Sequence, residues 1–305
     1  MEFSAGHGLM HLLEELASFG RRAVDSFSDR RPWSFPGVLF LHRRLSRVLG
    51  NESVLVVKAD GHRFYAAARD LNITDGLVRS GSLDYERLQA KLIKDALRPS
   101  MTVLDIGANV GYYTLMIARG LQDSGQVYAF EPEPFNFRLL AANVKTNGYT
   151  NVTLVRKAVC EVDGEVNVFK DADRHGAHSL WLNNITQLSS VERVSAITLD
   201  SFSESVERVD LIKMDIQGAE GGAIRGGERL LSEQHPILFF EISPCLLRHA
   251  GDDLQSIVDL LQSWGYELSV INEKRQTLEI LDVGKLESQY KNLYDCVNVM
   301  AKLTQ

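Results

Sequence analysis

The chain has 305 residues, 45% hydrophobic and 24% charged, which is the composition of an ordinary globular protein with one large domain or one domain and an appendage. Its formal net charge of −7 argues against nucleic acid as the main partner, because a phosphate backbone binds a basic surface. No run approaches the ~20 apolar residues of a membrane span, and no secretory signal is recognisable. The three scattered cysteines fit a reduced, cytoplasmic protein.

Two features mark the amino-terminal part of the chain. Residues 1–50 carry seven arginines and no lysine, with apolar residues at helical spacing. We expect a helix that covers a domain edge or caps a substrate opening, while a membrane-surface helix stays open as an alternative. Further on, Asp60-Gly61 lies between two apolar runs and predicts a β-hairpin. We therefore place an extension at 1–80 and the main domain at 81–305.

From residue 102 onward, strand-like apolar runs alternate with helical patterns. The expected strands are 102–106, 126–131, 152–155, 210–214, 236–242 and 266–271. The expected helices are 84–97, 111–120, 134–147, 218–231 and 252–264, the last of them capped by Asp252. A strand pair, 166–169 with 194–199, interrupts the alternation around a polar loop. This order predicts an α/β fold with a doubly wound, mostly parallel sheet, whose ligands bind beyond the carboxyl ends of the strands.

The most informative motif is a glycine turn with an acidic residue on the following strand. The turn reads Asp105-Ile-Gly-Ala-Asn109-Val-Gly111, and an apolar run ends at Glu131, twenty residues after Gly111. Glycines let the backbone approach a ligand, and a carboxylate can bind two ribose hydroxyls. A dinucleotide turn requires G-x-G-x-x-G, but its second and third glycine positions here hold Asn109 and Tyr112. The motif therefore favours S-adenosylmethionine, whose ammonium suits Asp105, over a nicotinamide dinucleotide.

Acidic residues also stand at the ends of four apolar strands: Asp105, Glu131, Asp215 and Glu241. Because parallel strands end at one edge of a sheet, we expect these carboxylates to line one negative cleft that favours a sulfonium cation. The candidate general bases are His178, Asp215 and Glu241, in no fixed order. Asp215 and Glu241 would suffice in principle for Mg²⁺. Two clear ligands are few, so a divalent metal is not favoured and no metal ligand is assigned.

Three blocks of the sequence, 103–114, 129–136 and 210–220, resemble the FkbM family of S-adenosylmethionine-dependent methyltransferases. The segments 197–202 and 236–242 also look typical of that family. The resemblance implies a Rossmann-like methyltransferase fold with a seven-stranded, mostly parallel sheet whose antiparallel final strand comes from Tyr294 to Lys302. It further implies methyl transfer to a hydroxyl of a small molecule, such as a sugar, a polyketide or another secondary metabolite.

The resemblance also implies a set of cofactor-binding residues, which are Asp105, Gly107, Ala108, Asn109, Gly111, Tyr113, Glu131, Pro132, Asn136 and Ala158. Residues of the glycine turn would surround the methionine part of the cofactor, and Glu131 would bind the ribose. The chain departs from the family at Gln217, because the family usually has Asp-x-Glu-Gly there. The departure removes one negative charge, which leaves Asp215 and Glu220 as the better candidates for a base or metal ligand.

Two other hypotheses stay open at this point. A nicotinamide-dependent oxidoreductase is disfavoured by the glycine spacing. A non-catalytic methyltransferase-fold interaction module is disfavoured because Asp105, Glu131 and Asp215 are costly charges for a retired site to keep. The sequence leaves undecided the methyl acceptor, the general base, the metal requirement, a homodimer and the role of residues 1–70.

Overall fold

The computed structural model describes residues 54–67, 70, 74, 76–77, 86–171, 178–293 and 295–304. The helix expected within residues 1–50 lies outside these ranges. Among the helices that are described, none is both long and apolar enough to cross a membrane.

The described ranges contain the following strands in chain order: β1 (Val54–Ala59), β2 (His62–Ala67), β3 (Thr102–Ile106), β4 (Gln126–Phe130), β5 (Val152–Val155), β6 (Ala158–Val159), β7 (Gly164–Asp171), β8 (Leu188–Ile197), β9 (Leu211–Met214), β10 (Ile237–Ile242), β11 (Tyr266–Asn272), β12 (Thr277–Ile280) and β13 (Val297–Leu303). The α-helices of the same ranges are α1 (Arg87–Ala96), α2 (Tyr112–Leu121), α3 (Pro134–Thr146), α4 (Leu199–Ser203), α5 (Glu220–Arg225), α6 (Glu228–Gln234), α7 (Pro244–His249), α8 (Leu254–Ser263) and α9 (Val283–Gln289). The six strands expected from the alternation are all present, and the strand pair that interrupts them is β7 with β8.

The main sheet has eight strands in the order β12-β11-β13-β10-β9-β3-β4-β5. Strands β10, β9, β3, β4 and β5 run parallel, and β13 is antiparallel to both of its neighbours. This topology confirms the α/β, mostly parallel fold with an antiparallel final strand. The implied number of seven strands is wrong, because the chain turns back after β11 and adds β12 as an antiparallel edge strand.

Apolar side chains cover both faces of this sheet. Helices α1, α2 and α3 and the β1–β2 hairpin contribute to one face, where Ile93 and Leu140 are fully buried. Helices α4 to α9 contribute to the other, around residues such as Leu261. Adjacent residues of a strand point to opposite faces of the sheet, so Val103 packs on the face covered by α1 to α3 and Leu104 on the face covered by α4 to α9. A sheet covered in this way leaves the carboxyl ends of its central strands for a ligand.

The predicted hairpin is present and is attached to the main domain through Asn143 of α3. Its turn residues, Asp60 and Gly61, have φ of +49° and +79°, as a two-residue hairpin turn requires. The Asn143 carboxamide accepts the Tyr65 backbone N–H at 2.6 Å and donates to the Tyr65 carbonyl at 2.9 Å. It also donates to the Val110 carbonyl at 2.7 Å. One buried amide therefore ties the hairpin to the glycine turn.

The helix expected over 218–231 is instead two helices, α5 and α6. Gly226 and Gly227 separate them. A Cβ added at Gly226 would lie 2.3 Å from the carbonyl oxygen of Cys160, which follows β6. The break therefore lets two backbones approach each other, a tertiary demand that the local helical pattern does not reveal.

Two other boundaries differ from the expectations. Helix α8 is capped by Asp253, whose side chain accepts the Ser256 backbone N–H at 3.0 Å. Asp252, the expected cap, instead accepts a hydrogen bond from Arg225 at 2.7 Å. The final strand begins at Val297, later than the implied start.

Candidate active site

The glycine turn after β3 is fixed by backbone contacts on two sides. Three of its residues have left-handed backbone angles: Gly107 (φ +78°), Asn109 (φ +51°) and Gly111 (φ +91°). The Gly107 N–H donates to the Phe130 carbonyl of β4 at 3.0 Å. A Cβ at Gly107 would lie 1.9 Å from the Asp215 carbonyl oxygen, beyond the end of β9. Space as well as conformation therefore requires glycine at position 107.

Two buried side-chain oxygens of the turn have no hydrogen-bond partner among the described residues. Asp105 is fully buried in β3; its Oδ2 accepts the Thr114 hydroxyl at 2.5 Å, whereas its Oδ1 has no partner. Asn109 Oδ1 is likewise buried and has no partner among the described residues. Burial raises the pKa of Asp105 above its ordinary value, against the opposing charge of Lys213. Such acceptors suit a ligand that brings N–H or O–H donors.

Glu131 follows β4 and lies against the same turn. It is 6% exposed, and its Oε2 accepts the Asn109 backbone N–H at 2.9 Å. Its Oε1 accepts the Glu133 backbone N–H, also at 2.9 Å. Burial raises the pKa of Glu131 to about 8, although both N–H contacts favour the ionised form. Each carboxylate oxygen retains a further lone pair, so the group can still accept from two ligand hydroxyls.

The remaining residues implied to bind the cofactor are Ala108, Tyr113, Pro132, Asn136 and Ala158. Ala108 lies within the glycine turn and Pro132 directly after Glu131. Asn136 lies in the first turn of α3, and Ala158 is buried in β6. The Tyr113 hydroxyl, by contrast, donates to Glu86 at 2.8 Å, which places this side chain in a charged cluster behind the turn.

The centre of that cluster is Lys213, which the sequence analysis did not single out. It lies in β9, is 5% exposed and pairs with Asp105 across the sheet. Its Nζ is 3.7 Å from Asp215 Oδ2 and 4.9 Å from the centre of the Tyr113 ring. Burial lowers the pKa of its ammonium, but surrounding carboxylates raise that pKa above the usual range; they are Asp215, Asp105, Glu86 and Glu241. A lysine inside an otherwise apolar strand was the signal available in the sequence.

Two of the candidate bases, Asp215 and Glu241, are joined by a third side chain. Gln217 Nε2 lies 2.7 Å from Asp215 Oδ1 and 3.1 Å from Glu241 Oε1. Burial, followed by the charge of Asp215, raises the pKa of Glu241 well above its ordinary value. Glu241 is therefore suited to keep a proton, whereas Asp215 has the ammonium of Lys213 beside it. The Asp215 side chain is 31% exposed, so this carboxylate is open to a ligand.

Glu220, in contrast, holds the backbone of the turn after β9. Its Oε1 accepts the Ile216 N–H and its Oε2 accepts the Gly218 N–H, both at 2.9 Å. Burial raises the pKa of Glu220 to about 7. Both oxygens are thus engaged in shaping the turn that presents Asp215.

His178 lies in the polar loop that precedes β8. The neighbouring Ser179 hydroxyl donates to the Gln217 carbonyl at 2.8 Å, so the loop does return to the edge of the sheet. His178 Nδ1 accepts the Asp171 backbone N–H at 3.2 Å. In the neutral ring this contact places the proton on Nε2, which leaves no free basic nitrogen. The geometry therefore favours Asp215 over His178 as a proton acceptor.

In the part of the chain that the structure describes, no three His, Cys, Asp or Glu residues are grouped to hold a metal ion. What the edge of the sheet does provide is a glycine turn after the first parallel strand, an acid after the second and a polar rim formed by β9 and β10. Together with the strand order, this arrangement defines a Rossmann-like methyltransferase.

The model of the methyltransferase FkbM domain matches residues 105–268, more than half of the chain, and the protein belongs to this family. The 2-O-methyltransferase NoeI of Sinorhizobium fredii is 27% identical over 184 residues, which cover 55% of this chain and 73% of NoeI. Methyltransferase 1 of Beauveria bassiana is 26% identical over 187 residues, with the same two coverages of 55% and 73%.

Solved structures with a similar fold include methyltransferase FkbM from Methylobacillus flagellatus KT, at a TM-score of 0.43 and 16% identity over 70% of this chain and 50% of that chain. Another is a SAM dependent methyltransferase from Aquifex aeolicus, at a TM-score of 0.41 and 15% identity over 73% of this chain and 92% of that chain. The strand order of the main sheet itself defines the fold. The chain spans half of the Methylobacillus protein.

Proposed function

We propose that this protein is an S-adenosylmethionine-dependent O-methyltransferase that acts on a hydroxyl of a small molecule. The observation that carries the proposal is the set of acceptors around the glycine turn. Asp105 Oδ1 and Asn109 Oδ1 are buried and have no partner among the described residues, and the Glu131 carboxylate lies against the same turn. This set suits a ligand with an ammonium group and ribose hydroxyls. It would repel the pyrophosphate of a nicotinamide dinucleotide.

Each residue then has a defined part in the reaction. S-adenosylmethionine supplies, when bound, a methyl group already activated by the sulfonium. Asp105 and Asn109 would hold its amino group, and Glu131 would accept hydrogen bonds from its ribose. Asp215, beside Lys213, would take the proton of the acceptor hydroxyl, while Glu241 keeps its own proton. Correct placement of the reactants supplies roughly 7–11 kcal/mol of such a barrier and a base adds about 10²–10⁴-fold.

The acceptor is proposed to be a hydroxyl of a sugar, a polyketide or another secondary metabolite. Family membership supports methyl transfer, and the name of the relative NoeI, a 2-O-methyltransferase, supports oxygen as the acceptor atom. We also propose that residues 81–305 form the methyltransferase domain, that 1–80 form a cap or a dimer contact, and that the enzyme works in the cytoplasm.

Isothermal titration with S-adenosylhomocysteine tests the cofactor, with and without Mg²⁺. The wild-type chain is expected to bind, and Glu131→Ala is expected to bind about 10- to 100-fold more weakly, because it loses two ribose hydrogen bonds of about 0.5–1.5 kcal/mol each. Asp215→Asn serves as the matched control, since a base outside the cofactor pocket leaves this affinity unchanged.

Absence of binding by the wild-type chain in both conditions would contradict the proposal, and a titration with NADH would then test the oxidoreductase. Equal loss of affinity in Glu131→Ala and Asp215→Asn would place Asp215 in the cofactor pocket rather than at the acceptor.

A further inference from the structure

The side chain of Gln217 occupies an unusual position between two carboxylates. Its Nε2 donates to Asp215 Oδ1 at 2.7 Å and to Glu241 Oε1 at 3.1 Å. A carboxamide nitrogen carries two hydrogens, so one amide satisfies both contacts. The reverse orientation would place the amide oxygen against the Asp215 carboxylate, and this contact therefore fixes which end of the amide faces the two acids.

The backbone of Gln217 is held in a strained conformation that aims this side chain. Gln217 has φ of +53° and Gly218 has φ of +95°. A left-handed conformation is unfavourable for a residue other than glycine, so it persists where its surroundings enforce it. Here the Gln217 carbonyl accepts the Ser179 hydroxyl at 2.8 Å and the Asn184 carboxamide at 3.1 Å. Glu220 binds the N–H of Gly218 on the other side.

A second nitrogen completes the arrangement. Lys213 Nζ lies 3.7 Å from Asp215 Oδ2, the oxygen that Gln217 does not contact. Each oxygen of Asp215 thus faces a nitrogen, one carboxamide and one ammonium. Two carboxylates drawn together in this way are the oxygen ligands that a divalent cation selects. The Lys213 ammonium contributes positive charge, and the Gln217 carboxamide donates hydrogen bonds to the oxygens that a cation would otherwise bind.

We propose that Gln217 is a positioning residue of the acceptor site and that, with Lys213, it takes the place of a divalent cation between Asp215 and Glu241. The inference rests on the proposed function, since it concerns the carboxylates that face the acceptor. It follows that a glutamate at position 217 converts this site into a cation site, because it exchanges two N–H donors for a third carboxylate. Asp215 and Glu241 then face a ligand instead of an amide.

Titration of the full chain with Mn²⁺ alone, followed by calorimetry and by loss of the free-ion EPR signal, tests the inference. The wild-type chain is expected to bind Mn²⁺ no more tightly than about 1 mM, and Gln217→Glu at least 10-fold more tightly, which corresponds to about 1.4 kcal/mol. The double variant Gln217→Glu/Glu241→Gln is the matched control. Its side chains at positions 215, 217 and 241 are again two carboxyl groups and one amide, so its Mn²⁺ affinity is expected to return to the wild-type level.

Binding of S-adenosylhomocysteine by the same samples separates this inference from the proposed function, because the cofactor pocket is expected to stay intact in each variant. Tight Mn²⁺ binding by the wild-type chain that Asp215→Asn abolishes would overturn the inference, and this measurement needs no change at position 217. Gln217→Glu that binds S-adenosylhomocysteine normally but Mn²⁺ no better than wild type would overturn it as well.

Discussion

Close contacts at single positions decide where the backbone requires glycine. Gly107 and Gly148 both have left-handed backbones, with φ of +78° and +74°. They differ in their surroundings, because a Cβ at Gly107 would overlap the Asp215 carbonyl at 1.9 Å, whereas a Cβ at Gly148 would meet nothing within 4 Å. The two positions therefore separate the cost of conformation from the cost of space.

We expect Gly148→Ala to lower the free energy of unfolding by about 1–2 kcal/mol, the cost of the left-handed conformation alone. Gly107→Ala is expected to prevent folding or to cost more than about 4 kcal/mol, because β9 and the turn cannot both keep their places. Urea denaturation of both variants checks this difference. Equal losses would mean that the turn moves freely away from Asp215.

The spacing of the sequence located the glycine turn and the acid after β4 better than it located the surroundings of Lys213 and Gln217. Asp105, Asn109 and Glu131 follow a local spacing, and Glu131 accepts the Asn109 backbone N–H of the turn. The environment of Lys213 depends instead on strand register, which sets it beside Asp105. The bridge made by Gln217 depends on a strained turn, and no periodicity encodes either feature.

At the scale of elements, the hairpin depends on α3. Asn143 makes three hydrogen bonds at this junction and is fully buried. Asn147 pairs with the backbone N–H and C=O of Arg63 in the same manner, at 2.9 and 2.8 Å, but these contacts are exposed. Asn143 and Asn147 lie one helical turn apart, and their side chains thus pair with backbone groups of β2 as a neighbouring strand would.

We expect Asn143→Ala to lower the free energy of unfolding by about 2–4 kcal/mol, because each hydrogen bond contributes about 1 kcal/mol and the buried partners left behind cost more. The matched variant Asn147→Ala is expected to lose about 1 kcal/mol or less, since water replaces its contacts. Midpoints of urea denaturation check the pair, and a larger loss at position 147 would refute the difference in burial as the cause.

The order of elements followed from the sequence, but some of their ends did not. Each parallel strand could be located in the sequence as a short, continuous apolar run, because both faces of the sheet are covered. The division of 218–231 at Gly226 arises from contact with Cys160, far away in the chain. The edge strand β12 has no buried face to mark it, and its Ile280 is 86% exposed.

For the molecule as a whole, the buried acids make stability depend on pH. The folded-state pKa values of Glu131 and Glu220 are about 8 and about 7, against an ordinary value of 4.5. Between about pH 4.5 and about pH 8 the folded protein binds more protons than the unfolded chain, so the free energy of unfolding falls as the pH rises. Their contribution is fully present below about pH 4.5 and is lost through about pH 7 to 8.

We therefore expect the melting temperature of the ligand-free protein to be at least about 3 °C lower at about pH 8.5 than at about pH 6, since 1 kcal/mol moves it by roughly 2–4 °C in a domain of this size. Glu131→Gln removes one of the titrating groups and is expected to flatten this fall. Scanning calorimetry at several pH values checks both statements. A melting temperature that rises over this interval would show that other groups dominate.

The amide of Asn143 has one further consequence, for motion rather than for stability. It bonds both Tyr65 in the hairpin and Val110 in the glycine turn, and Ala67 of the hairpin lies in one apolar cluster with Val110, so an excursion that lifts the hairpin away also removes packing from the turn. Opening of the hairpin and opening of the turn share this amide and this packing, so their populations are linked. A ligand that tightens the turn makes the lifted state rarer, by as much as about 2.7 kcal/mol at a hundredfold excess over Kd if that state binds none. Residues 54–67 would then exchange their amide hydrogens more slowly in the presence of the ligand.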